Sequence, residues 1–285
     1  MSQTSPPRGR SWQAAFWAAG STIAAATLLA FLVLPVVALG FSIRPGDLIA
    51  GLRHPTVLPA LRLSLFTTSA SLVLVVIPGT ALAWLLVRRP GVWSHWVETV
   101  VQLPVVIPPA VGGLALLLAF GRHGLIGRSL ATMGIAIPFT TLAVVLAEVF
   151  VSAPFFVLAA TAAFRRVEPS LLIVARSLGA SPVRAFFRVA LPAASPSLVS
   201  GAAMSWARAL GEFGATLMFA GNLTGRTQTL PLAVYTALET DVRAAQAISI
   251  LLVIVALSLL FLLRRGAAAS GGLALDFPSR VEPRR

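Results

Sequence analysis

The feature that most constrains this chain is a series of apolar stretches too long and too poor in charge for the interior of a water-soluble domain. Six of them qualify, at 14–41, 61–87, 99–120, 139–164, 193–220 and 247–263. Crossing a hydrocarbon core takes about 20 mostly apolar residues in a helix, because no water is there to satisfy the backbone amides and carbonyls. Composition agrees with that solvent. The chain is 57% hydrophobic and 11% charged, with mean hydropathy +0.89, whereas soluble domains carry roughly 25% charged residues. The expected fold class is an all-α polytopic membrane protein with six transmembrane helices. No polar segment is long enough to bury a core of its own. The chain therefore reads as one transmembrane domain, 14–263, between a short N-terminal tail, 1–13, and a C-terminal tail, 264–285, whose Gly/Ala-rich composition reads as disordered.

Several stretches contain proline (Pro35, Pro78, Pro104, Pro108, Pro109, Pro154, Pro196). A bundle tolerates it because neighbouring groups satisfy the freed carbonyls, so kinked helices are expected, above all in the third stretch. The first stretch follows Arg8 and Arg10 but runs long and shows no small-residue cleavage site, so it reads as a retained helix.

The formal charge is +13, from 22 basic residues, all of them Arg, against 9 acidic ones. In a polar chain this would suggest nucleic acid. Here it reads as a topology signal, with a lipid bilayer and no nucleic acid as partner. If the N-terminus is cytosolic, the inner segments hold 14 Arg, the outer segments 7, and Arg208 lies within a span. That bias places both termini in the cytosol. The absence of Cys excludes disulfides, thiolate metal sites and Cys nucleophiles. The absence of Lys excludes a Gly-rich phosphate loop closed by Gly-Lys, so energy for any transport must come from a partner or a gradient. His54, His95 and His123 lie outside the apolar stretches without metal-ligand spacing and read as surface residues.

Between the fourth and fifth stretches runs a loop, 165–191, far longer than the usual connection between bundle helices. Glu168-Pro169 suits a helix start, and Gly179 suits a helix end, since glycine enters the left-handed conformation at little cost. Ser181-Pro182 then suits the cap and first position of a second short helix, with Arg184 and Arg188 one turn apart on one face. Two short helices joined by a glycine turn would make a knob able to dock in a partner's groove. The alternative is an interfacial helix pair whose Arg side chains touch anionic lipid.

Within the fifth stretch, Arg208 and Glu212 are four residues apart and can pair on a helix. Charge at membrane depth is expensive, which makes the pair a functional candidate. Ala207, Gly211 and Gly214 would allow a helix or an ion to approach the same face. The pair either fixes helix packing or meets substrate. Glu148, in the fourth stretch, is a second candidate for a buried acid. Residues 225–239 read as an outer loop followed by a short amphipathic helix.

The loop resembles that of binding-protein-dependent ABC permeases of the type I importer fold, whose motif runs Glu-Ala-Ala, a short spacer, Gly, a longer spacer and Leu-Pro. Ala175, Gly179, Ala180, Ser181, Pro182, Arg184, Leu191 and Pro192 match. The family's Glu-Ala-Ala falls on Ile173, Val174 and Ala175, so its acidic residue is missing. Residues 208–222 with 225–239 resemble the molybdate permease branch, and Gly211-Glu212-Phe213-Gly214 is similar also to sulfate permeases. The resemblance implies a homodimer of permeases in the bacterial cytoplasmic membrane, two cytosolic ABC ATPases, and an extracytoplasmic protein that delivers a tetrahedral oxyanion. It further implies that molybdate or tungstate is the cargo, with sulfate or thiosulfate as the alternative. The chain would itself be no enzyme and bind no cofactor, ATP and Mg being used by the ATPase. Ala175, Arg176, Gly179, Ala180, Ser181, Pro182 and Arg184 would form the coupling loop. Arg208, Gly211, Glu212 and Gly214 would lie on the translocation path or its gate. Two other readings stand beside it: a gradient-driven transporter using Glu148, Arg208 and Glu212, and a membrane enzyme or scaffold.

Overall fold

Proline and glycine punctuation decides where the long apolar stretches stay whole and where they break. The computed structural model describes residues 9–271, and of their side chains those of 17–262 and 265. The remainder of the expected tails, 1–8 and 272–285, lies outside the described residues. Thirteen α-helices follow one another, with no strand among the described residues: α1 Gly9–Phe41, α2 Pro45–Leu52, α3 Val57–Arg88, α4 Val92–Val106, α5 Pro109–Phe120, α6 Gly127–Thr132 and α7 Thr141–Arg165. Then come α8 Pro169–Ser177, α9 Pro182–Ala185, a π-helical turn Phe186–Ala190, α10 Leu191–Leu210, α11 Gly214–Ala220, α12 Leu230–Thr240 and α13 Val242–Gly271.

Four of these helices, α1, α3, α7 and α13, are long and apolar enough to cross a membrane, or five spans if α4 and α5 count together. The expectation was six. The third stretch is not a kinked helix but two helices meeting at 113°. Ile107 and Pro108 each precede a proline, and both are extended, at φ −72°, ψ 126° and φ −52°, ψ 135°. The ring of a following proline forbids the α conformation at such positions, so the helix ends instead of bending. The fifth stretch divides at 211–213 into α10 and the short α11. With Ser195, Ser197, Ser200, Ser205, two prolines and Arg208, α10 falls short of the hydropathy of the others. α13 continues as helix to Gly271, past the boundary expected at 263.

α7 is the centre of the bundle. In its most apolar window 56% of residues are buried, against 0% in α1, which stands at the periphery. One apolar cluster joins α3, α7 and α10 around Val75, Phe156, Phe164 and Leu198. A second joins α5, α7 and α11 around Leu116, Val144, Val151 and Phe219. A third packs α12 between α3 and α13 through Val57, Leu230 and Ile248. Lipid is as apolar as leucine, so helix association in a membrane relies on close packing. Phe156 illustrates it. A Cβ placed on Gly79 of α3 would lie 2.9 Å from its ring, and one placed on Gly201 of α10 would lie 2.7 Å from the methyl of Ala159, one turn along. The aromatic side chain of α7 therefore sits where its neighbours have no side chain at all.

Candidate functional site

The loop after α7 folds as two short helices and a glycine turn, as the residue spacing predicts. Pro169 occupies the first turn of α8, where its missing N–H is no loss. At the other end the Gly179 amide donates to the Arg176 carbonyl at 3.0 Å and the Ala180 amide to the Ala175 carbonyl at 3.0 Å. This is the Schellman pattern, and it requires a left-handed residue at Gly179, whose φ is +84°. The Ser181 hydroxyl then accepts the Arg184 amide at 3.3 Å, and Pro182 starts α9. Ala175, Arg176, Gly179, Ala180, Ser181, Pro182 and Arg184 are thus brought together in one turn. α8 buries none of its residues. Ile173 and Val174 on α8, Leu178 in the turn and Val183 on α9 are all exposed, as are Arg176 and Arg184.

The knob is not loosely tethered. Trp84 near the end of α3, Phe164 near the end of α7 and Phe186 in the π turn form an aromatic cluster, with ring centroids 5.3, 5.0 and 5.9 Å apart. Such pairs are each worth about 0.5–1.5 kcal/mol beyond the area they bury. The Arg88 guanidinium lies over the Trp84 ring at 5.6 Å. Sequence reasoning missed this cluster, since nothing in the spacing of Trp84 and Phe186 announces that they meet. The π turn runs without interruption into α10, so the knob is continuous with a rod of 20 residues, about 30 Å long.

The far end of that rod carries the second group of expected residues. Arg208 and Glu212 pair at 2.7 Å. They do so across a helix end and not along a continuous helix, because α10 stops at Leu210 and α11 starts at Gly214. The Glu212 carboxylate also accepts the Ala215 amide at 2.8 Å, satisfying a donor at the start of α11. The Glu212 side chain is 1% exposed and that of Arg208 28%, so the acid is held inside while the guanidinium reaches the open surface. Gly214 fits a close approach: a Cβ there would meet Pro109 at 3.1 Å. Gly211 has only the Ala207 carbonyl, at 3.7 Å, near its own Cβ position, and lies exposed. The neighbouring approach is tighter still, since a Cβ on Gly113 of α5 would lie 2.6 Å from the Ala215 carbonyl. α5, α11 and the end of α10 are thus locked together around the break.

Glu148 belongs to a different set of contacts. It is buried on α7 and accepts the Thr67 hydroxyl of α3 at 2.8 Å. One turn on, the Ser152 carbonyl accepts the Ser205 hydroxyl of α10 at 3.0 Å. α3, α7 and α10 are therefore joined by hydrogen bonds as well as by packing. Glu148 and the Arg208–Glu212 pair share no direct hydrogen bond. Among the described residues no cluster of three His, Asp or Glu has the geometry to hold a metal ion.

Comparison with known proteins places this architecture. The family described as "Binding-protein-dependent transport system inner membrane component" matches residues 75–268. The molybdenum transport system permease protein ModB of Mycobacterium tuberculosis is 46% identical over 228 residues, covering 80% of this chain and 86% of that protein. ModB of Escherichia coli K12 is 38% identical over 205 residues, covering 72% and 90%. Among solved structures, a chain of a bacterial alginate ABC transporter in complex with an alginate pentasaccharide-bound periplasmic protein superposes with TM-score 0.72 at 16% identity, covering 92% of this chain and 98% of that one.

Proposed function

Since the chain belongs to the binding-protein-dependent transport system inner membrane components, we propose that it is the permease subunit of an ABC importer that carries molybdate across the bacterial cytoplasmic membrane. The observation that carries the reading is the knob around Gly179. A knob whose first helix buries none of its residues, held through Phe186 by an aromatic clamp and running on through the π turn into α10, is built to be covered by another protein. The cargo is inferred from relatives named for molybdenum transport, at up to 46% identity. Tungstate, of the same charge and shape, would travel with it.

In this reading two copies of the chain line the path, two cytosolic ATPases dock on the two knobs, and an extracytoplasmic protein delivers the dianion. Both termini and the knob face the cytosol. Where the family motif has its acidic residue, this chain exposes Ile173, 64% accessible, so the contact with the ATPase is apolar at that point. ATP and Mg are handled by the ATPase alone. When the ATPases close, the knob moves with them, and the aromatic clamp and α10 carry the displacement to the break at 211–213. Arg208 and Glu212 hold that break in register. Their mutual neutralisation favours a packing role over direct attraction of the dianion.

The test is reconstitution in proteoliposomes with an ABC ATPase and an oxyanion-binding protein, followed by measurement of molybdate uptake. ATP-dependent uptake that needs all three components is expected. Uptake by this chain alone, driven by a proton gradient, would sink the proposal.

A further inference from the structure

A cavity of about 490 Å³ opens at the end of the bundle remote from the knob, lined by Arg122, Arg226, Phe139, Thr140 and Gly121 among others. Its position follows from α7, which begins at Thr141 beside the cavity and ends at Arg165 beside the knob. The 25 residues between separate the two by about 37 Å.

Three observations give the cavity a chemistry. Both Arg side chains are exposed and neither belongs to the ion pairs of the described residues, which are Arg165–Glu98, Arg208–Glu212 and Arg243–Asp47. Their charge is not cancelled, in contrast to Arg208. The start of α7 contributes to the same cavity, with Thr140 as its cap and no acidic residue in the first turn, so the positive end of the helix adds to the two guanidinium groups. Finally, the backbone here is built with strain. Phe139 has φ +61°, the one non-glycine residue in the left-handed region among those described. It is held there by its amide donating to the Phe219 carbonyl at 3.4 Å, and its ring packs where Gly221 has no side chain. Conformations of that kind persist where surrounding structure over-determines them, and they gather at binding sites. The Thr141 hydroxyl meanwhile fastens the Arg226 carbonyl at 2.9 Å, bringing the loop that carries Arg226 onto α7.

We infer that this cavity is a capture site for a tetrahedral oxyanion, in which Arg122 and Arg226 hold the ion before it reaches the path between subunits. The choice of molybdate over other oxyanions rests on the function proposed above. Arg suits the task because its planar fork gives two hydrogen bonds to one oxyanion. The cavity is large for one such ion, so the ion is held with part of its water, as a weak relay site needs. A phosphate headgroup of lipid offers the same chemistry, and the test separates the two sources.

Tungstate binding is measured by equilibrium dialysis on the full chain, first in a phosphate-free detergent and then in nanodiscs containing phosphatidylglycerol. The expected result is saturable binding in both, weakened about tenfold or more by Arg122→Gln or Arg226→Gln. Arg122→Lys should be intermediate, and Arg128→Gln, an exposed Arg outside the cavity, should have no effect. Binding that is equal in wild type and both Gln variants overturns the inference. So does wild-type binding that is present in detergent and lost in the anionic nanodiscs, which would assign the cavity to lipid. An effect of the variants seen only when the delivery protein is added would assign the two Arg to protein docking and overturn it likewise. Unimpaired size-exclusion profiles of the variants exclude misfolding as the cause of lost binding. If wild type shows Arg-dependent tungstate binding but no ATP-dependent uptake, the capture site stands and the importer reading falls. If uptake is ATP-dependent and the Gln variants bind and transport like wild type, the reverse holds.

Discussion

Replacing Gly179 by residues graded in their tolerance of positive φ isolates the turn from everything else in the knob. A Cβ at this position meets nothing within 4 Å, so no steric clash confuses the series. The penalty is conformational: an L-residue in the left-handed region costs about 1–2 kcal/mol, with Asn paying least among non-glycine residues. Because α8 buries none of its residues, little packing compensates, and local opening of such a segment lies near the low end of the stability range. A loss of about 1–2 kcal/mol in a marginal turn lowers the docking-competent population about 5–30-fold, and apparent affinity for the ATPase falls by the same factor. The expected order of affinity is Gly, then Asn, then Ala, then Val, measured by titrating the ATPase onto the permease in nanodiscs. Thermal unfolding of the bundle should not move, since the hydrogen bonds at risk, to the Arg176 and Ala175 carbonyls, close the turn and no helix of the core. Equal affinity of the Ala and Val variants with wild type would refute the argument that the turn presents the docking surface. An Asn variant as weak as Val would refute its conformational basis.

Two further expectations concern the bundle. Arg208→Ala and Glu212→Ala should each destabilise, Glu212→Ala by roughly 1–3 kcal/mol because the buried Ala215 amide loses its acceptor as well. The double variant should show a coupling of about 0.5–3 kcal/mol in thermal melts, and full additivity would count against a paired unit. Thr67→Val keeps the shape of its side chain but removes the hydroxyl that donates to Glu148. It should lower stability by about 1–3 kcal/mol, and Thr67→Ser should recover most of it; a Val variant that melts like wild type would show that the bond contributes nothing.

Much of this architecture was open to reading because it rests on local properties. Apolar length and low charge are enough to require membrane-spanning helices, since backbone hydrogen bonds must close within each segment wherever the solvent offers none. The knob was equally local. Pro169, Gly179, Ser181 and Pro182 act through their own dihedral limits and caps, and the turn forms where their spacing places it. The pairing of Arg208 with Glu212 followed from a separation of four residues.

What the sequence did not disclose depends on distant parts of the chain meeting. Consecutive prolines at 108 and 109 could bend a helix or end it, and packing of α5 against α11 goes with the sharper outcome of 113°. The end of α10 at Leu210 turned a pair along a helix into a brace between two helices, with Glu212 answering the Ala215 amide. Trp84 and Phe186 are a hundred residues apart, and only the fold makes them a clamp. Arg122 and Arg226 are separated as widely, and neither has a motif to itself. They share one cavity because α5 and the loop after α11 converge on the start of α7. Local chemistry therefore determined the solvent, the helices and the turn, whereas the sites where separate segments cooperate were decided by tertiary packing, which brings together groups that no spacing along the chain can relate.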